Sequence, residues 1–247
     1  MKIAFLTLFV SLARGFTITA PPKRLEALPS ARAELEAIAT KSNPVLKFYD
    51  PLQLSSTTIY DNTNDQSINF LRHAEIKHGR VAMFAFVGYI VHANHITFPW
   101  KMTMSGDPFP SVTSAPEAWD AIPAAAKWQI IGVVGFLEWF SEVAGDHYMR
   151  GGEPGRFPKV QFSDHPDKIP HPVPFNFYDP FSLSSKRSPE KKANGLISEL
   201  NNGRLAMIGI FGFLSENKVE GSVPLLTQFA HLPHYAGEVM SPFEGGY

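Results

Sequence analysis

The sequence predicts an all-α membrane protein of three transmembrane helices, the first and third crossing as a pseudo-twofold pair, with long irregular loops between them. Three observations carry this prediction. One unit of sequence occurs twice; helical apolar periodicity is confined to three segments; and basic residues alternate between the loops.

The repeat has two parts. Phe48-Tyr49-Asp50-Pro51-Leu52-Gln53-Leu54-Ser55-Ser56 returns as Phe177-Tyr178-Asp179-Pro180-Phe181-Ser182-Leu183-Ser184-Ser185. Downstream of the first copy lies Glu75-Ile76-Lys77-His78-Gly79-Arg80-Val81-Ala82-Met83. Downstream of the second lies Glu199-Leu200-Asn201-Asn202-Gly203-Arg204-Leu205-Ala206-Met207. Both read E-x-x-x-G-R-x-A-M and run into an apolar, glycine-containing stretch. Two copies of one unit in one chain imply two related elements packed about a pseudo-twofold axis.

Helical segments are expected at about 67–93, 124–143 and 192–216, with Pro123 marking the start of the second. The connections 94–123 and 144–190 are rich in Pro, Gly and Ser and long for a compact domain. No stretch alternates well enough to predict a strand. Residues 31–40 read as a short surface helix. Residues 1–30 read as a targeting leader: a basic start, an apolar core over Ile3–Leu12 that is too short to span a bilayer, a cleavage region at Ala13-Arg14-Gly15, and a transit-like stretch from Phe16. A plain secretory signal is the alternative. Residues 31–247 form the single remaining domain.

Hydropathy alone argues against membrane spans. The clean apolar run Val81–Val91 is shorter than the ~20 residues a span needs, and charged side chains precede it. Loop charge argues for them. Loop 144–190 holds Arg150, Arg156, Lys159, Lys168, Lys186 and Arg187, whereas loop 94–123 holds only Lys101 and the tail after Glu216 only Lys218. Three spans with the N-terminus on the basic side produce this alternation.

Composition excludes several functions. The chain has no Cys, so disulfides, thiolate metal sites and cysteine nucleophiles are absent. Its 22 Lys+Arg and 23 Asp+Glu nearly cancel, which gives no footprint for nucleic acid. A metalloenzyme using some of the nine His is the reading from another class. No H-E-x-x-H, G-x-S-x-G or phosphate-binding glycine loop supports it, so the chain is not expected to be an enzyme.

The repeated block carries the chemistry. Glu75 and Arg80 lie about 140° apart around a helix, as do Glu199 and Arg204, so neither pair is intrahelical. Two copies crossing face to face pair Glu75 with Arg204 and Glu199 with Arg80. An unpaired charge at membrane depth costs about 3 kcal/mol or more, which makes such pairing valuable. Gly79, Gly203, Ala82 and Ala206 permit close approach. One carboxylate oxygen of each pair is then left over. Three residues on stand His78 and Asn202, so each helix presents two Lewis bases of the kind that hard Mg²⁺ accepts. Two solvated surface helices are the plainer alternative.

In these residues the chain resembles the light-harvesting chlorophyll a/b–c binding proteins, whose first and third membrane helices cross through E-x-x-x-G-R motifs. The resemblance runs from Phe48 to about Phe243. The leader with Phe16 after its cleavage region, Gly-Ser-Val-Pro at 221–224 and His-Tyr-Ala-Gly-Glu at 234–238 resemble the red-lineage, fucoxanthin–chlorophyll a/c branch.

The resemblance implies an antenna apoprotein that binds chlorophyll a, chlorophyll c and carotenoids of the fucoxanthin or a related xanthophyll type, and passes excitation to a photosystem. By position it implies that Glu75, His78, Glu199 and Asn202 are axial ligands of chlorophyll magnesium, with Arg80 and Arg204 as ion-pair partners. Glu216 falls where the family often has a Gln ligand. Glu138, then Gln129, are the candidates in the second helix, and His231 or His234 near the C-terminus. Asp50 and Asp179 become candidates for carotenoid head-group or capping contacts. Implied partners are other antenna subunits, a photosystem core (I or II) and thylakoid lipids, with no nucleic acid. The implied location is the plastid thylakoid, with the N-terminus stromal and the C-terminus lumenal. A photoprotective, energy-quenching member of the same family is the alternative function.

Overall fold

The computed structural model describes residues 30–59, 61–112, 114–143, 146–156, 186–230, 232–238 and 243. The expected leader, the second Phe-Tyr-Asp-Pro segment with Asp179, and His231 lie outside the described residues. The chain divides into two units, Met1–Ser30 and Ala31–Tyr247, and the described helices all belong to the second.

Among the described residues the structure is helical, with no strand. In chain order come α1 (Ala31–Ser42), the 3₁₀ turn η1 (Leu54–Ser56), α2 (Asn64–Ala93), α3 (Ala115–Ala121), α4 (Ala124–Val143), the 3₁₀ turn η2 (Tyr148–Arg150), α5 (Pro189–Lys218) and α6 (Pro224–Phe229).

Capping sets the helix ends. The side chain of Thr63 accepts from the backbone of Gln66, and the Gln66 side chain accepts from the backbone of Thr63. This reciprocal capping box starts α2 at Asn64, ahead of the apolar periodicity that suggested a start near 67. Ser188 caps Lys191, and Pro189 occupies the first turn, where its missing N–H costs nothing, so α5 starts at 189 rather than near 192. Beyond α2, Asn94 returns its side chain to the Ile90 carbonyl, and His95 turns left-handed at φ 55° to stop the helix. The short α3 lies inside a connection that the sequence suggested was irregular; Pro116 sits in its first turn.

α2 and α5 form the centre of the molecule. Each has 30 residues, about 45 Å at ~1.5 Å per residue. They cross at Gly79 and Gly203, both buried. A Cβ on Gly79 would stand 3.0 Å from the Gly203 Cα, and one on Gly203 would stand 2.9 Å from the Gly79 Cα. The two backbones are therefore in contact, and no side chain fits between them. Ala82 and Ala206 continue the small-residue seam and are buried. Farther along, Phe86 and Tyr89 stack on Phe213, each with ring centroids 5.0 Å apart.

α1 lies against the crossing. Its first amide donates to Asp65 Oδ1 at 3.2 Å, and Glu34 accepts from Arg72 at 3.0 Å. α4 differs in kind. Trp128, Val133, Val134, Phe136, Leu137 and Trp139 are each more than half exposed, and their positions spread over about two-thirds of the helix circumference. The fully buried apolar set among the described residues is correspondingly small: Ala31, Ile68, Ala82, Tyr89, Ala206 and Tyr235. Among the described residues no helix is long and apolar enough to cross a membrane on hydropathy. In α2 the reason is the series Asp65, Arg72, Glu75, Lys77 and Arg80, which precedes the apolar run.

Candidate functional site

Both reciprocal ion pairs are present at the crossing. Arg204 Nε donates to Glu75 Oε1 at 2.7 Å, and Arg80 Nε donates to Glu199 Oε1 at 2.5 Å. Each guanidinium has a further acceptor outside the repeat. Arg80 Nη1 donates to the Gly155 carbonyl at 2.6 Å, and Arg204 Nη1 donates to Ser42 Oγ at 3.2 Å. The carboxylates are about one-third exposed, at 31% for Glu75 and 30% for Glu199. Among the described residues the pairs use Oε1 of each carboxylate and leave Oε2 without a hydrogen bond. The arrangement thus yields a neutralised carboxylate with one oxygen available as a Lewis base.

His78 is poised in the same way. Its Nδ1 lies 2.7 Å from the Ala74 carbonyl. A carbonyl only accepts, so Nδ1 carries the proton and Nε2 keeps its lone pair on the exposed side of the helix. Asn202, the matching residue on α5, is likewise exposed.

On α4, Gln129 is exposed and Glu138 accepts an ion pair from Lys77 of α2. Lys77 also lies 3.4 Å from Glu142 Oε1. Glu142 has further donors of its own: His147 Nε2 at 2.9 Å and the Tyr148 hydroxyl at 3.3 Å. Met149 N–H donates to His147 Nδ1, so the His147 proton resides on Nε2 and points at Glu142.

Glu216 differs from the expectation of an open ligand. It is buried, and both of its oxygens are engaged. Gly221 N–H (3.0 Å) and Thr227 Oγ1 (2.6 Å) donate to Oε1, while Val223 N–H (2.7 Å) and Ser222 Oγ (3.4 Å) donate to Oε2. The carboxylate organises the turn between α5 and α6 and presents no free oxygen. The neighbouring Asn217 reaches the Pro233 carbonyl, and the Tyr235 hydroxyl donates to Asp120 at 2.8 Å, so the C-terminal segment is clamped onto the ends of α3 and α5. His234 is carried on that clamped segment.

Asp50 caps. Its two oxygens accept from Leu54 N–H at 3.0 Å and Ser55 N–H at 2.8 Å. Hydrogen bonds from Ser55, then from Leu54, hold its carboxyl below the usual aspartate range. The segment lines a cavity of about 540 Å³ bounded by α1 and the crossing, with Leu35, Ala39, Phe48, Ile68, Glu75 and Arg204 in its wall. One end of the Glu75–Arg204 pair thus faces an open, largely apolar space.

Sequence reasoning missed Lys77 as a site residue. The available signal was its position two residues after Glu75, where the second copy has Asn201.

The chain as a whole matches a family of known proteins. The family described as Chlorophyll A-B binding protein matches residues 33–218. The chain is 33% identical to the fucoxanthin-chlorophyll a-c binding protein of Trieres chinensis, over 92% of this chain and 98% of that protein. It is 30% identical to the fucoxanthin-chlorophyll a-c binding protein F of Phaeodactylum tricornutum, over 89% of this chain and 96% of the relative. A protein F of the same description from Macrocystis pyrifera is 30% identical over 88% of this chain and 89% of its own. All three are described as chloroplastic.

Proposed function

The chain belongs to the chlorophyll A-B binding protein family, and from that premise we propose that it is a light-harvesting antenna holding chlorophylls a and c and fucoxanthin-type carotenoids. The observation that carries the reading is the doubled crossing. Each reciprocal ion pair cancels a carboxylate's charge while leaving it one donor oxygen.

When bound, the pigments absorb light and pass excitation between them; the chain's part is to hold them apart, aligned and dry. Glu75 and Glu199 offer carboxylate oxygens to chlorophyll magnesium, His78 its Nε2, and Asn202 its amide oxygen. Arg80 and Arg204 offset the charges of the two carboxylates in an apolar setting. Glu138 and Gln129 serve on α4, and His231 or His234 on the C-terminal segment. Glu216, its oxygens filled from residues 221–227, shapes the turn instead. Asp50 orders the segment that lines the cavity beside Glu75, where a carotenoid end group fits, and Asp179 is assigned the same task in the second copy. No covalent bond is made or broken by the protein.

The three long helices cross the thylakoid membrane. At ~1.5 Å per residue α4 is about 30 Å long, the thickness of a hydrocarbon core, and α2 and α5 exceed it. Neutralisation at the crossing offsets the charges that depress their hydropathy. The exposed apolar surface of α4 meets lipid and pigment. The basic connection between α4 and α5 faces the stroma with the N-terminus, and the connection after α2 and the C-terminus face the lumen. Neighbouring antenna subunits and a photosystem core, I or II, receive the excitation.

The test is the absorption and fluorescence-excitation spectrum of the detergent-solubilised native protein, with pigment extraction from the same sample. Carotenoid absorption that appears in chlorophyll emission is the expected result. A preparation without stoichiometric chlorophyll overturns the reading.

A further inference from the structure

We infer that Lys77 is the counter-cation of a third pigment-binding carboxylate, Glu138, and thereby the residue that sets α4 against the crossed pair; this rests on the reading of Glu138 as a chlorophyll ligand. Three carboxylates, one on each long helix, face a cation carried by another helix. Glu75 meets Arg204, Glu199 meets Arg80, and Glu138 meets Lys77. The first two pairs follow from the repeat. The third does not, because α4 has no repeated partner.

Lys77 occupies the one place where the two copies must differ for this to work. Its counterpart Asn201 turns to α1, donating to the Ser42 carbonyl at 3.2 Å. Only the copy that faces α4 carries a cation there. The Lys77 side chain is 20% exposed against 51% for Glu138, so the ammonium is held inward and the carboxylate keeps an outward side. That is the asymmetry needed by a ligand with one oxygen neutralised and the other open.

Glu142 is the rival for the same ammonium. Its Oε1 is 3.4 Å from Nζ, and its Oε2 is met by His147 through Nε2 and by the Tyr148 hydroxyl. With its own donors in the 146–148 turn, Glu142 does not require the lysine charge. Glu138 has no other cation among the described residues. Lys77 links α2 to both Glu138 and Glu142 of α4, so removing its charge also loosens the helix.

Lys77→Met keeps the length and removes the charge. In protein reconstituted with its extracted pigments, it is expected to lose one chlorophyll per polypeptide, while those at the crossing stay. Lys77→Arg should retain the full set. Lys77→Met with Glu138→Gln should recover the lost chlorophyll, since an amide oxygen needs no counter-charge, and Glu142→Gln should cost none. Pigment per polypeptide, by extraction and chromatography, is the readout, with visible circular dichroism as a check on the remaining pigments. Failure of the double variant to recover the pigment, or no loss in Lys77→Met, overturns the inference. Glu138→Ala separates the two levels: if it keeps every chlorophyll, the ligand reading of Glu138 itself is wrong, whatever Lys77 does.

Discussion

The two halves of the crossing share their inner residues and differ at their outer ones. Glu, Gly, Arg, Ala and Met recur at matched positions in α2 and α5, and the reciprocal ion pairs and the glycine contact are built from these. Lys77 and His78 stand where the second copy has Asn201 and Asn202. Lys77, Asn201 and the arginines also reach different segments on the two sides: Gly155 and α4 on one, Ser42 of α1 on the other. Matched residues make the dyad, and unmatched residues attach everything else to it.

Breaking the shared part should have the largest effect. Arg204→Leu strands Glu75 and Arg80→Leu strands Glu199; an unpaired carboxylate at membrane depth costs on the order of 3 kcal/mol. Each variant is expected to abolish pigment binding at its partner's carboxylate and to reduce yield on reconstitution. Glu75→Gln added to Arg204→Leu should restore assembly in part. If the double variant assembles no better than the single, reciprocal neutralisation is not what the pairs provide.

Gly79→Ala and Gly203→Ala come next. Each places a methyl about 3 Å from a backbone atom of the other helix, and overpacking of this kind costs roughly 1–3 kcal/mol. Because the contact is reciprocal, the temperature at which visible circular dichroism is lost should drop by similar amounts in both. A large inequality would show that the two backbones do not approach symmetrically.

The outer residues sharpen the contrast with smaller effects. Ser42→Ala removes the hydroxyl that accepts from Arg204 and meets Asn201, worth about 1 kcal/mol. It should weaken the α1 side only, as read by hydrogen exchange along residues 31–42 and 199–204.

The smallest effect concerns pH. A depressed aspartate stabilises its turn above the ordinary carboxylate pKa, and that contribution disappears as pH falls through the lowered value. Amides 54 and 55 should lose protection on acidification in the wild type. Asp50→Asn should show weaker protection at neutral pH and no acid-dependent loss. The same comparison at Asp179→Asn asks whether the second Phe-Tyr-Asp-Pro segment uses its carboxylate alike.

The crossing is legible in the sequence because one motif, doubled, gives each charge an opposite partner on the other copy. Helix existence follows from periodicity, but the starts at Asn64 and Pro189 depend on Thr63, Gln66 and Ser188, which are polar and lie outside any apolar pattern. Helix α3 has seven residues, too few for periodicity to register. The hydrogen bonds of Glu216 are not legible in the sequence for a different reason. Its donors arrive from a chain reversal at 219–223, and nothing in local spacing reveals that the segment folds back. Lys77 reaches Glu138 across 61 positions of sequence, a relation that only the packing of α4 discloses.

The proton on His78 Nδ1 makes the dyad chemically uneven. Were chlorophylls held on both sides as proposed, one magnesium would meet an imidazole whose Nδ1–H is bonded to the Ala74 carbonyl, and the other the neutral amide of Asn202. Two pigments so held would differ in the ligand that each meets. The symmetry that repeats the site would then still leave its two copies chemically distinguishable.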